Sequence, residues 1–262
     1  MKIGIIGVGV VGKAIKNAFE DFHEIFLHDP KLGTTIKDVT ENTNFAYIAV
    51  PTPSDSKTGE CDISIIESVL EQLPDGYNAV IKSTIIPGTT KILQTKYPNL
   101  NICCSPEFLR SKTSLNDFQN QDILVIGSED GELSELIIKQ HKDAGVVNEE
   151  NIFVVSPTQA ELVKYAKNSF YAMKVIFANQ FHDLSEKLGE DWNVVKAIIT
   201  TPQEQQIGPS HLNSPKSNQK GFAGACLPKD TIALSHLLSS LEIRYELIDA
   251  ILKDNQRLNG DF

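Results

Sequence analysis

Basic residues are in short supply in this 262-residue chain: Lys and Arg total 24 against 34 Asp and Glu, a formal net charge of −10. A general nucleic-acid or anionic-membrane binder needs a broad basic surface, so neither partner is expected. Long apolar runs are missing too, and none approaches the ~20 residues that cross a bilayer. The opening Met1–Gly12 is apolar but carries four glycines and no small-residue cleavage site, so it does not read as a signal peptide. Cysteine is scarce: Cys61, Cys103, Cys104 and Cys226 show no metal-ligand spacing, and adjacent Cys103 and Cys104 are poorly placed to pair. The expectation is a reduced, cytoplasmic protein with no metal. Against these absences, 41% hydrophobic and 22% charged residues are ordinary for a globular chain, and the length suits two domains.

Short apolar runs alternate with helical patterns over residues 1–155. Strands are expected at Lys2–Ile6, Glu24–His28, Phe45–Val50, Ala79–Ser83, Asn101–Ser105, Ile123–Gly127 and Ile152–Val155. Several have no polar alternate, as in strands covered on both faces. Val11, Ala14, Ile15, Ala18, Phe19 and Phe22 recur at helical spacing between the first two, making a βαβ unit. Its repetition predicts a Rossmann-type, doubly wound parallel sheet. Near residue 156 the pattern changes. Ser156-Pro157-Thr158-Gln159 is a capping box with Pro at the first helical position. Helical periodicity then continues to Leu188, with Gly189 as a stop. Such a helix is about 48 Å long, enough to form the spine of an all-helical domain over 156–262 and the seam of a homodimer through 157–188. Residues 202–221 read as a loop, and helical patterns resume from Thr231 to Leu258.

Gly7-Val8-Gly9-Val10-Val11-Gly12 follows a strand and opens a helix. The first glycine permits the tight turn, the second lets a pyrophosphate approach, and the third lets helix and sheet pack closely. Asp29 ends the second strand, where a carboxylate accepts hydrogen bonds from a ribose diol and repels a 2′-phosphate. NAD is therefore expected rather than NADP, with Lys31 the one neighbour that would suit a phosphate.

A second informative segment is Gly221–Asp230, where small residues surround Cys226 and Lys229 and Asp230 follow it. A thiol on a Gly-rich turn beside a cation is suited to attack carbonyls. Lys164 and Asn168 stand four apart on the long helix, hence on one face. Glu107, in Ser105-Pro106-Glu107-Phe108, and Thr84 each follow the carboxyl end of a strand, where α/β sheets hold ligands.

These segments occur in the order Gly7–Gly12, Val50–Pro53, Lys82–Thr90, Ser105–Arg110, Glu161–Asn168 and Gly221–Asp230. In that order they closely resemble the UDP-glucose/GDP-mannose dehydrogenase family over essentially the whole chain. The resemblance implies a four-electron oxidation of a nucleotide-sugar C6 alcohol, such as that of UDP-glucose, to the carboxylate with two NAD. Cys226 would be the nucleophile, Lys164 and Asp230 would assist proton transfer, Asn168 would steady the C6 oxygen, and Glu107 would act as base, with Thr84 at the same centre. It also implies a cofactor set of Gly7, Gly9, Val10, Val11, Gly12, Asp29, Thr52, Pro53 and Thr84. The implied substrate set is Glu107, Phe108, Leu109, Lys164, Asn168, Gly221, Phe222 and Lys229.

Three features depart from the family pattern. A third, C-terminal domain that closes over the substrate is not expected, since the pattern after Leu247 reads as the end of the central domain; Ser111 stands where a second Glu is usual; and Gln206 precedes Ile207-Gly208 where Arg is often found. A substrate that is smaller, more weakly held or completed by a partner is the expectation. Two alternatives share parts of the pattern. A dehydrogenase of the 3-hydroxyacid or 6-phosphogluconate type would need no nucleophilic cysteine, and a catalytically impaired NAD-binding remnant would bind cofactor without turnover.

Overall fold

The computed structural model describes residues 1–55, 58–201, 208, 210–212, 220–242 and 246–259. In chain order the elements are β1 (Lys2–Ile6), α1 (Val10–Phe19), β2 (Glu24–His28), α2 (Ile36–Thr40), β3 (Phe45–Ile48), α3 (Ser64–Leu70), β4 (Asn78–Ile81), α4 (Thr89–Lys96) and β5 (Asn101–Cys104). They continue with α5 (Ser114–Gln119), β6 (Leu124–Gly127), α6 (Gly131–Asp143), β7 (Ile152–Val155), α7 (Pro157–Leu188), α8 (Trp192–Ile199), α9 (Leu227–Ser240) and α10 (Leu247–Asn259). Two compact units result: Met1–Pro53 with Cys61–Lys164, and Ser54–Glu60 with Tyr165–Phe262. The division falls inside α7 rather than at its start, because its first two turns pack on the sheet through Ala160 and Val163.

In the first unit the strands form one sheet in the order β2-β1-β3-β4-β5-β6-β7. Both faces of the inner strands are buried. Ile3, Ile5, Phe45, Tyr47, Val80 and Cys103 meet α1, α5 and α6 on one side, while Ile48, Ile81, Ile102 and Cys104 meet α2, α3 and α4 on the other. That double cover explains the near-continuous apolar strands, each buried Ile or Phe contributing roughly 1.5–3 kcal/mol. The chain leaves β1 for β2 on one side and returns to β3 on the other, so a crevice opens beyond the carboxyl ends of β1 and β3.

The sheet is mostly parallel, as expected, with one antiparallel pairing. β6 runs antiparallel to β5, meeting it at Cys104–Gly127, and β7 then runs parallel to β6. The connection from β5 to β6 holds only the six-residue α5, about 9 Å long. Here the chain re-enters the sheet from the end it left, with α5 packed beside α1.

The second unit is helical. Ser156 and Gln159 form the reciprocal box that starts α7: the Ser156 N–H donates to Gln159 Oε1 at 3.1 Å, and the Gln159 N–H to Ser156 Oγ at 3.3 Å. Further along, Ala172 and Ile176 pack with Phe222 and Ile251, and Ala178 packs with Trp192 and Leu212. The expected helical stretch 231–258 is divided into α9 and α10, with Glu242 in the left-handed region at φ 55°. Most of the expected loop 202–221, including Glu204, Gln206, Ile207 and Lys216, lies outside the described residues. No described helix is long and apolar enough to cross a membrane.

Candidate active site

The glycine-rich turn follows β1 directly. Gly7 sits at φ +92°, and a Cβ there would lie 2.5 Å from the Ala49 carbonyl oxygen. At Gly12 a Cβ would lie 2.0 Å from the Gly7 carbonyl oxygen, so only glycine lets α1 begin this close to the turn. Gly9 faces open space and α1 has no side-chain cap and no acidic residue in its first turn. Its first N–H groups therefore suit a diphosphate. Val10 and Val11 form that first turn, Val10 exposed and Val11 half-buried. Asp29 accepts hydrogen bonds from the Val8 N–H at 2.8 Å and the Lys31 N–H at 2.9 Å. The Lys31 and Val8 N–H groups hold its carboxyl below the usual range, so it stays an anionic acceptor beside the turn. The residues present thus fit a dinucleotide.

Two loops at the carboxyl ends of β3 and β4 are tied together. Thr52 Oγ1 donates to the Thr84 carbonyl at 2.7 Å, and Ser83 Oγ donates to the Val50 carbonyl at 2.7 Å. Thr52 is buried, Thr84 half-buried and Pro53 exposed. The loop after β5 brings Glu107 to Lys164: the ammonium lies 2.7 Å from the Glu107 carbonyl oxygen and 3.0 Å from Oε1. Glu107 Oε2 accepts the Leu109 N–H at 2.6 Å, and Lys164 lies over the Phe108 ring at 5.7 Å. Glu107, Phe108, Leu109 and Lys164 are therefore one cluster, and its ion pair is nearly dehydrated.

Sequence reasoning missed two residues supporting this cluster. Glu161, one turn before Lys164, accepts the Thr90 N–H and hydroxyl at 2.8 and 2.6 Å, and the Gly88 N–H at 2.5 Å. It caps α4 from α7, and burial raises its carboxyl despite those hydrogen bonds. Lys82, fully buried at the end of β4, donates to Ser105 Oγ at 3.2 Å, and burial brings its ammonium down to about 8. Both lie inside quoted motifs, but neither pairing has a signature in local spacing.

The second unit holds the remaining residues. Cys226 is the exposed residue at the N-terminus of α9, and its carbonyl accepts the Asp230 N–H at 2.8 Å. Asp230, buried one turn later, accepts a hydrogen bond from the Asn168 amide and lies 2.7 Å from the Lys229 ammonium. Asn168, Lys229 and Asp230 are thus brought together one turn from the thiol. Upstream, the Gly221 N–H donates to Asn179 Oδ1 at 3.1 Å, and the buried Phe222 gives its backbone to Asn255. Cys103 and Cys104 are buried in β5, where burial pushes the Cys104 thiol up to about 12. They pack as small hydrophobes, leaving Cys226 as the exposed one among the four.

Residues 28–144 match the UDP-glucose/GDP-mannose dehydrogenase family, NAD binding domain, and residues 158–257 match the central domain of the same family. UDP-glucose 6-dehydrogenase of Rickettsia felis is 32% identical over 226 residues, 83% of this chain and 48% of the relative. UDP-glucose 6-dehydrogenase TuaD of Bacillus subtilis is 30% identical over 271 residues, 98% of this chain and 55% of the relative. The chain thus spans about half the length of these curated relatives. A UDP-glucose dehydrogenase structure from Pyrobaculum islandicum superposes with a TM-score of 0.80 at 26% identity, covering 99% of this chain and 68% of that one. With the glycine turn, Asp29 and the Cys226 segment in these places, the chain belongs to the UDP-glucose/GDP-mannose dehydrogenase family, of which it carries the NAD-binding and central domains.

Proposed function

We propose that this chain oxidises the C6 alcohol of a nucleotide sugar of the UDP-glucose type to the carboxylate. The observation that carries the proposal is the exposed thiol of Cys226 at the start of α9, one turn before a buried Asp230 held by Asn168. NAD, when bound, supplies the hydride acceptor. The uncapped start of α1 at Gly9, Val10 and Val11 would hold its diphosphate and Asp29 its ribose diol, with Thr52, Pro53 and Thr84 lining the approach.

Glu107, beside Lys164, takes the hydroxyl proton as the first hydride leaves the sugar carbon. Asn168 and Lys164 steady the C6 oxygen through the change in charge. Cys226 Sγ then adds to the aldehyde carbon, giving a thiohemiacetal. Loss of a second hydride leaves a thioester, and water directed by Asp230 and Lys164 breaks the carbon–sulfur bond, releasing the carboxylate and restoring the thiol. Lys229 attracts the substrate diphosphate, and Phe108, Leu109, Gly221 and Phe222 shape the sugar's surroundings. The exposed apolar side chains of Phe170, Phe181, Leu184 and Leu188 on α7 support pairing with a second copy.

Incubation with NAD and UDP-glucose, GDP-mannose or an N-acetylated UDP-sugar should give two NADH for each sugar oxidised, and Cys226→Ser should make no carboxylate. Full turnover by Cys226→Ser with one NADH per substrate would assign an alcohol dehydrogenase of the 3-hydroxyacid type instead. NAD binding without NADH from any of these sugars would assign a non-catalytic subunit.

A further inference from the structure

The segment that delivers Cys226 to α9 is short and exposed. Ala223, Gly224 and Ala225 are exposed and small, so they anchor nothing through side chains. The thiol's position is therefore set by the fixed points on either side. Downstream, the first turn of α9 is fixed by the buried Asp230 against Asn168. Upstream the fixed point is Phe222, 3% exposed, whose N–H donates to Asn255 Oδ1 at 2.6 Å and whose carbonyl accepts from Asn255 Nδ2 at 3.1 Å. One buried amide on α10 thus satisfies both backbone groups of one loop residue.

The same amide explains Gly221. A Cβ there would lie 2.4 Å from Asn255 Oδ1, so the Asn255 side chain fills the space that any other residue at 221 would need. Gly221 also stands at φ +76°, which adds a conformational demand independent of Asn255.

We infer that Asn255 is a positioning residue through which α10 sets where the Cys226 thiol stands. This rests on the reading of Cys226 as the nucleophile. Without Asn255 the Phe222 N–H and carbonyl are buried and unpaired, a state the loop escapes by moving toward water. Three residues separate Phe222 from Cys226, each adding up to ~3.5 Å of reach, so a loosened upstream end lets the sulfur drift by more than an attack geometry tolerates.

Three measurements test this. In Asn255→Ala, kcat should fall roughly a hundredfold while KM for NAD stays unchanged, whereas the exposed neighbour Gln256→Ala on α10 should match wild type. Amide hydrogen exchange over residues 222–226 should quicken by about tenfold or more in Asn255→Ala with no substrate present. In a cycle with Gly221→Ala, the double variant should lose less kcat and thermal stability than the two single losses combined. The clash vanishes with Asn255, whereas the cost of positive φ is common to both arms. If Asn255→Ala does not fold, Asn255→Ser carries the test with an intermediate loss. A kcat within about twofold of wild type, unchanged loop exchange, or an additive cycle would overturn the inference. Quickened exchange in a protein that makes no NADH would leave the anchoring intact and overturn the proposed function alone.

Discussion

Lys164 reaches Glu107 twice, at the backbone carbonyl and at the carboxylate, with the two side chains only 5% and 10% exposed. The pair joins the start of the long helix to the loop after β5, so it sets both the geometry of that loop and its charge. Replacing Lys164 by Met strands a dehydrated carboxylate, which costs about 3 kcal/mol when one partner of a buried pair is lost. Urea midpoints should show that loss, and Lys164→Met combined with Glu107→Leu should lose less than the two single losses together. A single-variant loss below about 1 kcal/mol would mean that the pair behaves as a surface one.

Gly9 and Gly12 should separate binding from folding. A methyl group at Gly9 meets nothing, whereas one at Gly12 would sit 2.0 Å from the Gly7 carbonyl oxygen. Gly9→Ala should keep the wild-type melting temperature while weakening NAD binding by calorimetry, because the added methyl occupies the approach to the α1 N-terminus. Gly12→Ala should lower the melting temperature, since backbone must move to relieve the clash. Equal melting temperatures would remove the distinction.

His141 predicts an acid limit on stability. It is fully buried, and burial, with the nearby Lys82 ammonium, brings its imidazole down to about 3 from the ordinary 6.5, against the opposing Ile137 carbonyl contact. Between those values the unfolded chain takes up a proton that the folded chain refuses. Stability is therefore complete above pH 6.5 and falls as pH drops toward 3, by at most about 1.4 kcal/mol for each pH unit. His141→Leu should flatten that limb in denaturation curves recorded from pH 7 to 4. An unchanged slope would place the proton uptake elsewhere.

The exposed α7 face predicts an association. Leu184 is 51% and Leu188 68% exposed, with Phe181 on the same stripe. Light scattering should show a dimer at micromolar concentration that Leu184→Glu with Leu188→Glu converts to monomer. A wild-type monomer across that range would end the dimer proposal.

Much of the fold was legible in the residues. β1, β2, β7 and α7 span the residues expected of them, because short apolar runs and a capped helix are written locally. β3, β4 and β5 end one or two residues early, where their last groups turn to bind neighbouring loops, as Ser83 does with Val50. The direction of β6 was not legible, since an apolar run buried on both faces reads the same whichever way the strand lies beside β5. Cys226, Lys164, Asn168 and Asp230 were proposed from motif, spacing and resemblance. The pairings of Glu161 with Thr90, Lys82 with Ser105 and Asn255 with Phe222 were not, because each reaches a segment far away in sequence.

By itself the sequence determined the alternation that makes a nucleotide-binding sheet, the glycines that only a tight turn and close packing require, and the small-residue segment around one thiol. These follow from covalent and local constraints, which hold wherever the chain is placed. Tertiary structure alone decided that Lys164 faces Glu107, that β6 turns back, and that an amide near the end of the described chain grips Phe222. Burial makes those choices, because a polar group removed from water must find its partner wherever the fold has brought one within reach.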